Sequence, residues 1–109
     1  MGTEEKVMKI LCRLGITATY HGFFYTAYAV QIARENPLYF LLVTKRLYPE
    51  VGKHFGTTAA SVERAIRTVA EIAWKRNRSF LAQIAQRELH SKPKTSEFIS
   101  ILAYSQVLD

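Results

Sequence analysis

Glu63, Arg64 and Arg67 fall within one short segment of the stretch Pro49–Arg76. A guanidinium can donate two parallel hydrogen bonds to O6 and N7 of guanine, and a carboxylate can accept one from the N4 amine of cytosine. On one face of one helix, these three side chains would form a base-reading set. The same spacing has a plainer reading: Glu63 and Arg67 stand at i, i+4, where a solvated ion pair contributes only ~0.2–0.5 kcal/mol. The readings are compatible, because such a pair would hold Arg67 ready for a base. Lys53, Lys92 and Lys94, together with the Thr58 hydroxyl and the backbone amides of the turn before Ala59, suit phosphate oxygens.

Other chemistries find little support. His21, His54 and His90 are far apart and lack metal-ligand spacing with Cys12. No glycine-rich phosphate loop and no nucleophile elbow occurs. Cys12 has no acid–base neighbour in sequence and reads as a packing or surface residue. The histidines read as surface or connector residues, with His54, beside the turn, also placed to touch a phosphate. The expectation is a non-enzyme without cofactor or metal.

To work together, the charged residues need a rigid frame. Pro49–Phe55 reads as a short helix, Gly56-Thr57-Thr58 as a tight turn, and Ala59–Arg76 as a long helix capped by Thr58. With Val62 set at zero on a helical wheel, Ile66, Val69 and Ala73 lie within about 40° of it, whereas Glu63, Arg67 and Arg64 fall at about 100°, 140° and 200°. The first set is a buried stripe, and the second lies on the outer face. Gly52 supplies the small residue needed where two helices cross closely, Gly56 tolerates a left-handed turn, and Val62 is the apolar residue inside the second helix. Val51 and Phe55 are expected in the core. This is the layout of a helix-turn-helix, whose second helix enters the DNA major groove.

The remaining chain reads as scaffold. Thr3 is expected to cap a first helix, with Glu4 and Glu5 in its first turn and Gly15 closing it. A second helix is expected from about Gly22 to Glu35, apolar nearly all round and therefore central, with Phe23, Phe24, Tyr25 and Tyr28 in the core. A third should span about Pro37 to Val43, followed by the one reaching Phe55. Trp74 lies off the buried stripe and should pack under a neighbouring helix. Ser79 should cap a helix from Phe80 to about Leu89. Thr95 or Ser96 should cap a last one, Glu97–Leu108, with Phe98, Ile101, Leu102 and Val107 apolar. The fold class is all-α: a compact six-helix domain containing a helix-turn-helix, occupying residues 1–109.

Charge and composition agree with that frame. A chain of 109 residues buries roughly 65% of its unfolded surface and needs no disulfide or metal. The net charge is +6. From Lys45 to Lys94 there are 11 Lys/Arg against 4 acidic residues, whereas the remainder is slightly acidic. This concentration of positive charge points to a polyanionic partner, although basic surfaces also serve solubility. There is no secretory signal or apolar run of membrane-spanning length, and Lys6 breaks a myristoylation pattern after Met1-Gly2. The expected location is cytoplasmic, with no membrane partner, and the unpaired Cys12 fits a reducing compartment.

Three segments carry a family resemblance: LYPEVGKHFGTT (Leu47–Thr58), SVERAIRTVAEIAW (Ser61–Trp74) and KPKTSEFI (Lys92–Ile99). Together with the Leu14–Gly22 pattern, they resemble the C-terminal effector domain of the sporulation response regulator family (stage-zero sporulation protein A). The resemblance covers nearly the whole chain. It implies a six-helix domain that binds short promoter boxes resembling TGTCGAA, often in tandem so that two copies can pair on DNA, with activation or repression of transcription. It also places Glu63, Arg64 and Arg67 on the recognition helix. Ser61 occupies a position where the family usually has a DNA-contacting Arg, so box preference turns on it. The family normally carries an N-terminal phosphoacceptor receiver domain, and these residues contain none. The chain is then either an excised domain or a stand-alone relative. A second function class keeps the fold and loses specific DNA binding: a protein-interaction module acting on a related regulator or on RNA polymerase. Ser61 and the missing receiver motivate it.

Overall fold

The computed structural model describes residues 2–108. Six α-helices form the framework: α1 (Thr3–Arg13), α2 (His21–Glu35), α3 (Tyr48–Phe55), α4 (Ala59–Arg76), α5 (Arg78–Ala85) and α6 (Thr95–Ala103). There is no strand among the described residues. α2 packs on α1, α4 and α6, and α3 packs on α4. One core joins them, built from Leu11 and Leu14, Ala27 and Val30, Val51, Leu81, and Phe98 and Leu102, which all have no measurable exposure.

α4 has the expected bounds, and its stripe of Val62, Ile66, Val69 and Ala73 is wholly buried. The Thr58 hydroxyl accepts from the Ser61 amide at 3.0 Å, which satisfies one of the free donors at the helix start. The turn before it is built on two glycines with different tasks. Gly56 lies in the left-handed region at φ 71°, and its amide donates to the Gly52 carbonyl. Gly52 lets the turn fold back onto α3: a Cβ at that position would sit 2.7 Å from the Thr57 carbonyl oxygen and 3.2 Å from the Thr58 carbonyl carbon. The helix-turn-helix therefore rests on backbone-to-backbone contact.

Elsewhere the structure corrects several expectations. Gly2, not Thr3, is the N-cap of α1, and no side chain serves it. The segment after α2 is not a helix from Pro37 to Val43. Asn36 caps a short 3-10 turn over Pro37–Phe40, and a π turn over Val43–Leu47 then runs directly into α3, with Pro49 in its first turn. Asn36 and Leu42 both leave helical geometry, with φ of −136° and −124°. The apolar residues between them cannot share one face, and Leu38, Leu41 and Leu42 are left exposed. Asn77 replaces Ser79 as the cap of α5: its side-chain oxygen accepts from the Phe80 amide at 3.2 Å, while its amide nitrogen donates to the Arg13 carbonyl at 2.9 Å. α5 stops at Ala85, because Gln86 turns left-handed at φ 59°. α6 starts at Thr95 after an N-cap at Lys94 and ends at Ala103, and a 3-10 turn over Gln106–Leu108 leaves Val107 exposed.

Two aromatic assignments also change. Phe55 ends α3 beyond the core and is 37% exposed. It rests on Tyr25 and Tyr28, at ring-centroid distances of 5.0 and 5.7 Å. α2 is central as expected, but it buries Gly22, Phe23, Thr26, Ala27, Ala29, Val30 and Ala33, and turns Phe24, Tyr25 and Tyr28 toward the surface. Trp74 is half-buried, with the Arg78 guanidinium 4.0 Å above its ring.

Candidate nucleic-acid interface

The outer face of α4 starts at a closed polar knot. The Thr58 hydroxyl accepts from the Ser61 amide and lies 2.9 Å from the Ser61 hydroxyl, to which it donates. Its one proton is thus used within the helix cap. What this end offers an anion is the first-turn amides, which the cap holds in place. Ser61 is half-buried beside it.

One turn further on, Glu63 is engaged through both oxygens. Oε1 accepts from Arg67 Nη1 at 3.1 Å, as the i, i+4 spacing requires. Oε2 accepts from the hydroxyl of Thr95, the first residue of α6, also at 3.1 Å. An ionised carboxylate has about four lone-pair positions, so two contacts leave capacity for another donor. Tyr48 senses the same charge. Burial, and after it the Glu63 carboxylate, push its phenol up to about 12, so it is neutral at neutral pH.

Arg64 differs from Arg67. It is exposed, and among the described residues its guanidinium has no side-chain partner; only its carbonyl is used, by the Thr68 hydroxyl at 3.1 Å. Lys53 and Lys94 are also exposed and without a side-chain partner among the described residues. Lys94 precedes Thr95 directly, so it stands next to the Glu63 contact. Lys92 is committed: its ammonium lies 3.2 Å from Glu71 on α4. His54 is exposed and its ring is held by stacking on Tyr28, at 3.9 Å with the rings 9° apart.

The structure therefore joins two parts of the sequence. The chain from Lys92 to Thr95 is fastened to α4 at Glu71 and at Glu63, about 12 Å apart along the helix. Glu63, Arg67, Lys92, Lys94 and Thr95 share one side of the molecule, and Arg64 lies on the same outer face of α4. Thr95 was legible only as a helix cap. Its link to Glu63 spans 32 positions and carries no local signal.

Residues 7–105 match the family described as Sporulation initiation factor Spo0A C terminal. The chain belongs to this family. It is a DNA-binding regulatory domain of the sporulation type, an effector domain with no catalytic role. In accord with that membership, the fold is all-α with six helices. No group of three or more His, Cys, Asp or Glu side chains that could hold a metal occurs among the described residues, and none of the described helices is long and apolar enough to cross a membrane.

Proposed function

We propose that residues 1–109 act as one helix-turn-helix effector domain, a sequence-specific transcription regulator that lays the N-terminal half of α4 in the DNA major groove. The observation that carries this reading is the contrasting state of the two arginines on that helix. Arg64 is exposed and uncommitted, and Arg67 is held in a defined direction by Glu63. Both would donate to guanine edges, and Glu63 would accept from a cytosine amine with its remaining lone pairs. Lys53, Lys94 and the amides at Thr58 would hold phosphates. Lys92 would act less directly, by fixing the neighbouring loop on Glu71. Ser61 supplies a short hydroxyl where a long donor would otherwise reach the groove.

The target would be double-stranded DNA with boxes resembling TGTCGAA, with tandem boxes seating a pair of copies, in the cytoplasm. A mobility-shift titration with box and scrambled duplexes tests this at moderate salt. Equal affinity for the two duplexes would end the claim of sequence specificity.

A specific observation also favours one part of the second reading, contact with a protein, here alongside DNA binding rather than in place of it. Leu38 and Leu41 are 61% and 81% exposed, and Leu42 stands beside them. A groove of about 190 Å³ runs between Leu38, Tyr39, Leu42 and Arg46. Lys45 and Arg46 border this patch, and no acidic residue lies between Asn36 and Pro49. A second copy of so basic a chain is a poor match for that border. An acidic amphipathic helix, as on a subunit of RNA polymerase, fits it. Leu41→Asp should abolish capture of such a polymerase while leaving box binding intact. Unchanged capture would refute the docking site.

A further inference from the structure

We infer that Thr95 is a positioning residue for base recognition: its hydroxyl fixes the Glu63 carboxylate, and through it the direction of Arg67. The inference rests on the DNA-binding reading above and adds to it a residue outside the helix-turn-helix.

The geometry is a chain of two hydrogen bonds. Thr95 donates to Glu63 Oε2 at 3.1 Å, and Glu63 Oε1 accepts from Arg67 at 3.1 Å. Without Thr95, the Glu63–Arg67 contact would be an ordinary surface pair, free to exchange among rotamers and worth little. With it, one carboxylate oxygen is anchored to a second helix, and the carboxylate plane is set. A guanidinium bonded to an anchored carboxylate has fewer directions available, so less freedom is lost when it meets a base.

The surroundings support this assignment over a merely structural one. Thr95 does not serve as the cap of α6. The N-cap is Lys94, and the start of α6 is held instead by Glu97, which accepts from the Lys94 amide at 3.4 Å and from Arg87 at 2.6 Å. The Thr95 hydroxyl is thus spare for the helix it begins, and it is spent on α4. A second tie, Lys92 to Glu71, holds the same segment in register along α4.

The test compares box and single-base-substituted duplexes for wild type, Thr95→Val and Thr95→Ser, with thermal melts alongside. A hydrogen bond to a charged group, discounted for partial exposure, corresponds to about a five-fold change. Thr95→Val should therefore reduce the ratio of box to substituted-box affinity about five-fold, and Thr95→Ser should restore it. In a Glu63→Gln background, Thr95→Val should change the ratio less than two-fold, because the anchored charge is already gone. Discrimination by Thr95→Val equal to wild type overturns the inference and leaves the DNA-binding reading intact. So does a loss that matches the fall in melting temperature and persists with Glu63→Gln. Failure of the wild-type chain to separate box from scrambled duplex overturns both. If Thr95→Val does not fold, the same cycle with Thr95→Ala decides the matter.

Discussion

Gly52 and Gly56 sit four residues apart in one turn, yet alanine at each should fail in a different way. At Gly52 the added Cβ meets backbone, with the Thr57 carbonyl oxygen at 2.7 Å and the Ala59 nitrogen at 3.4 Å. Backbone atoms cannot swing aside as the tip of a side chain can. Relief requires the start of α4 to move away from α3 by about half an ångström or more. Overpacking of this kind costs ~1–3 kcal/mol. Alanine gains back ~0.5–1 kcal/mol over glycine inside a helix. The expected net loss is up to about 2.5 kcal/mol, and each kcal/mol lowers the melting temperature by roughly 4–8 °C for a domain near this size. At Gly56 nothing lies within 4 Å of the added Cβ, and the cost comes only from the left-handed backbone at φ 71°, about 1–2 kcal/mol.

Stability alone would hardly separate the two variants. Box affinity per folded molecule should. Gly52→Ala wedges the contact that sets the angle of α4, so specific affinity should fall at least ten-fold at temperatures where the protein is fully folded. Gly56→Ala strains the turn without wedging it, and its folded fraction should bind the box within about two-fold of wild type. Urea unfolding gives the stability of each, and mobility-shift titration below the unfolding range gives the affinity. Gly52→Ala with wild-type stability and box affinity would show that backbone contact at Gly52 does not fix the angle of α4.

Arg64→Ala should cost ~1–3 kcal/mol of box affinity and little affinity for scrambled DNA, whereas Lys94→Ala should weaken both duplexes alike and flatten the salt dependence by about one counterion; titrations at several salt concentrations separate them. Ser61→Arg should gain ~1–3 kcal/mol of discrimination if a guanidinium there reaches a base, and competition among box variants would show which base it reads. Tyr48 has a folded-state pKa raised to about 12 from an ordinary value of 10, so its contribution to stability is complete below pH 10 and lost as pH rises from 10 to 12. Urea midpoints followed across that range should fall more steeply for wild type than for Tyr48→Phe, and parallel curves would contradict the assignment.

What was legible in the sequence depended on how local its cause was. The bounds of α4 follow from Thr58, whose cap acts over three residues, and from a buried stripe repeating at helical period. The turn glycines are equally local, because a left-handed φ and a close approach admit few other residues. The cap of α5 was missed because Ser79 and Asn77 are both capping types, and the choice fell to Asn77 by a contact with Arg13, 64 positions away. The Thr95–Glu63 bond was out of reach for the same reason.

The aromatics of α2 are a different case, because a readable signal was outweighed. A helix that is apolar on all sides gives no moment to orient it, and large rings look like core. Yet Gly22, Thr26, Ala29 and Ala33 recur at spacings of four, three and four, which places them on one side of the helix. Small residues on one side let neighbouring backbones approach closely, and α2 packs most extensively on α1, α4 and α6. Rings cannot occupy a face packed that tightly. Phe24, Tyr25 and Tyr28 lie off that stripe, and Tyr25 and Tyr28 meet Phe55 and His54 at the end of α3. In a helix without polarity, the stripe of smallest side chains therefore marks the buried face better than the largest hydrophobic residues do.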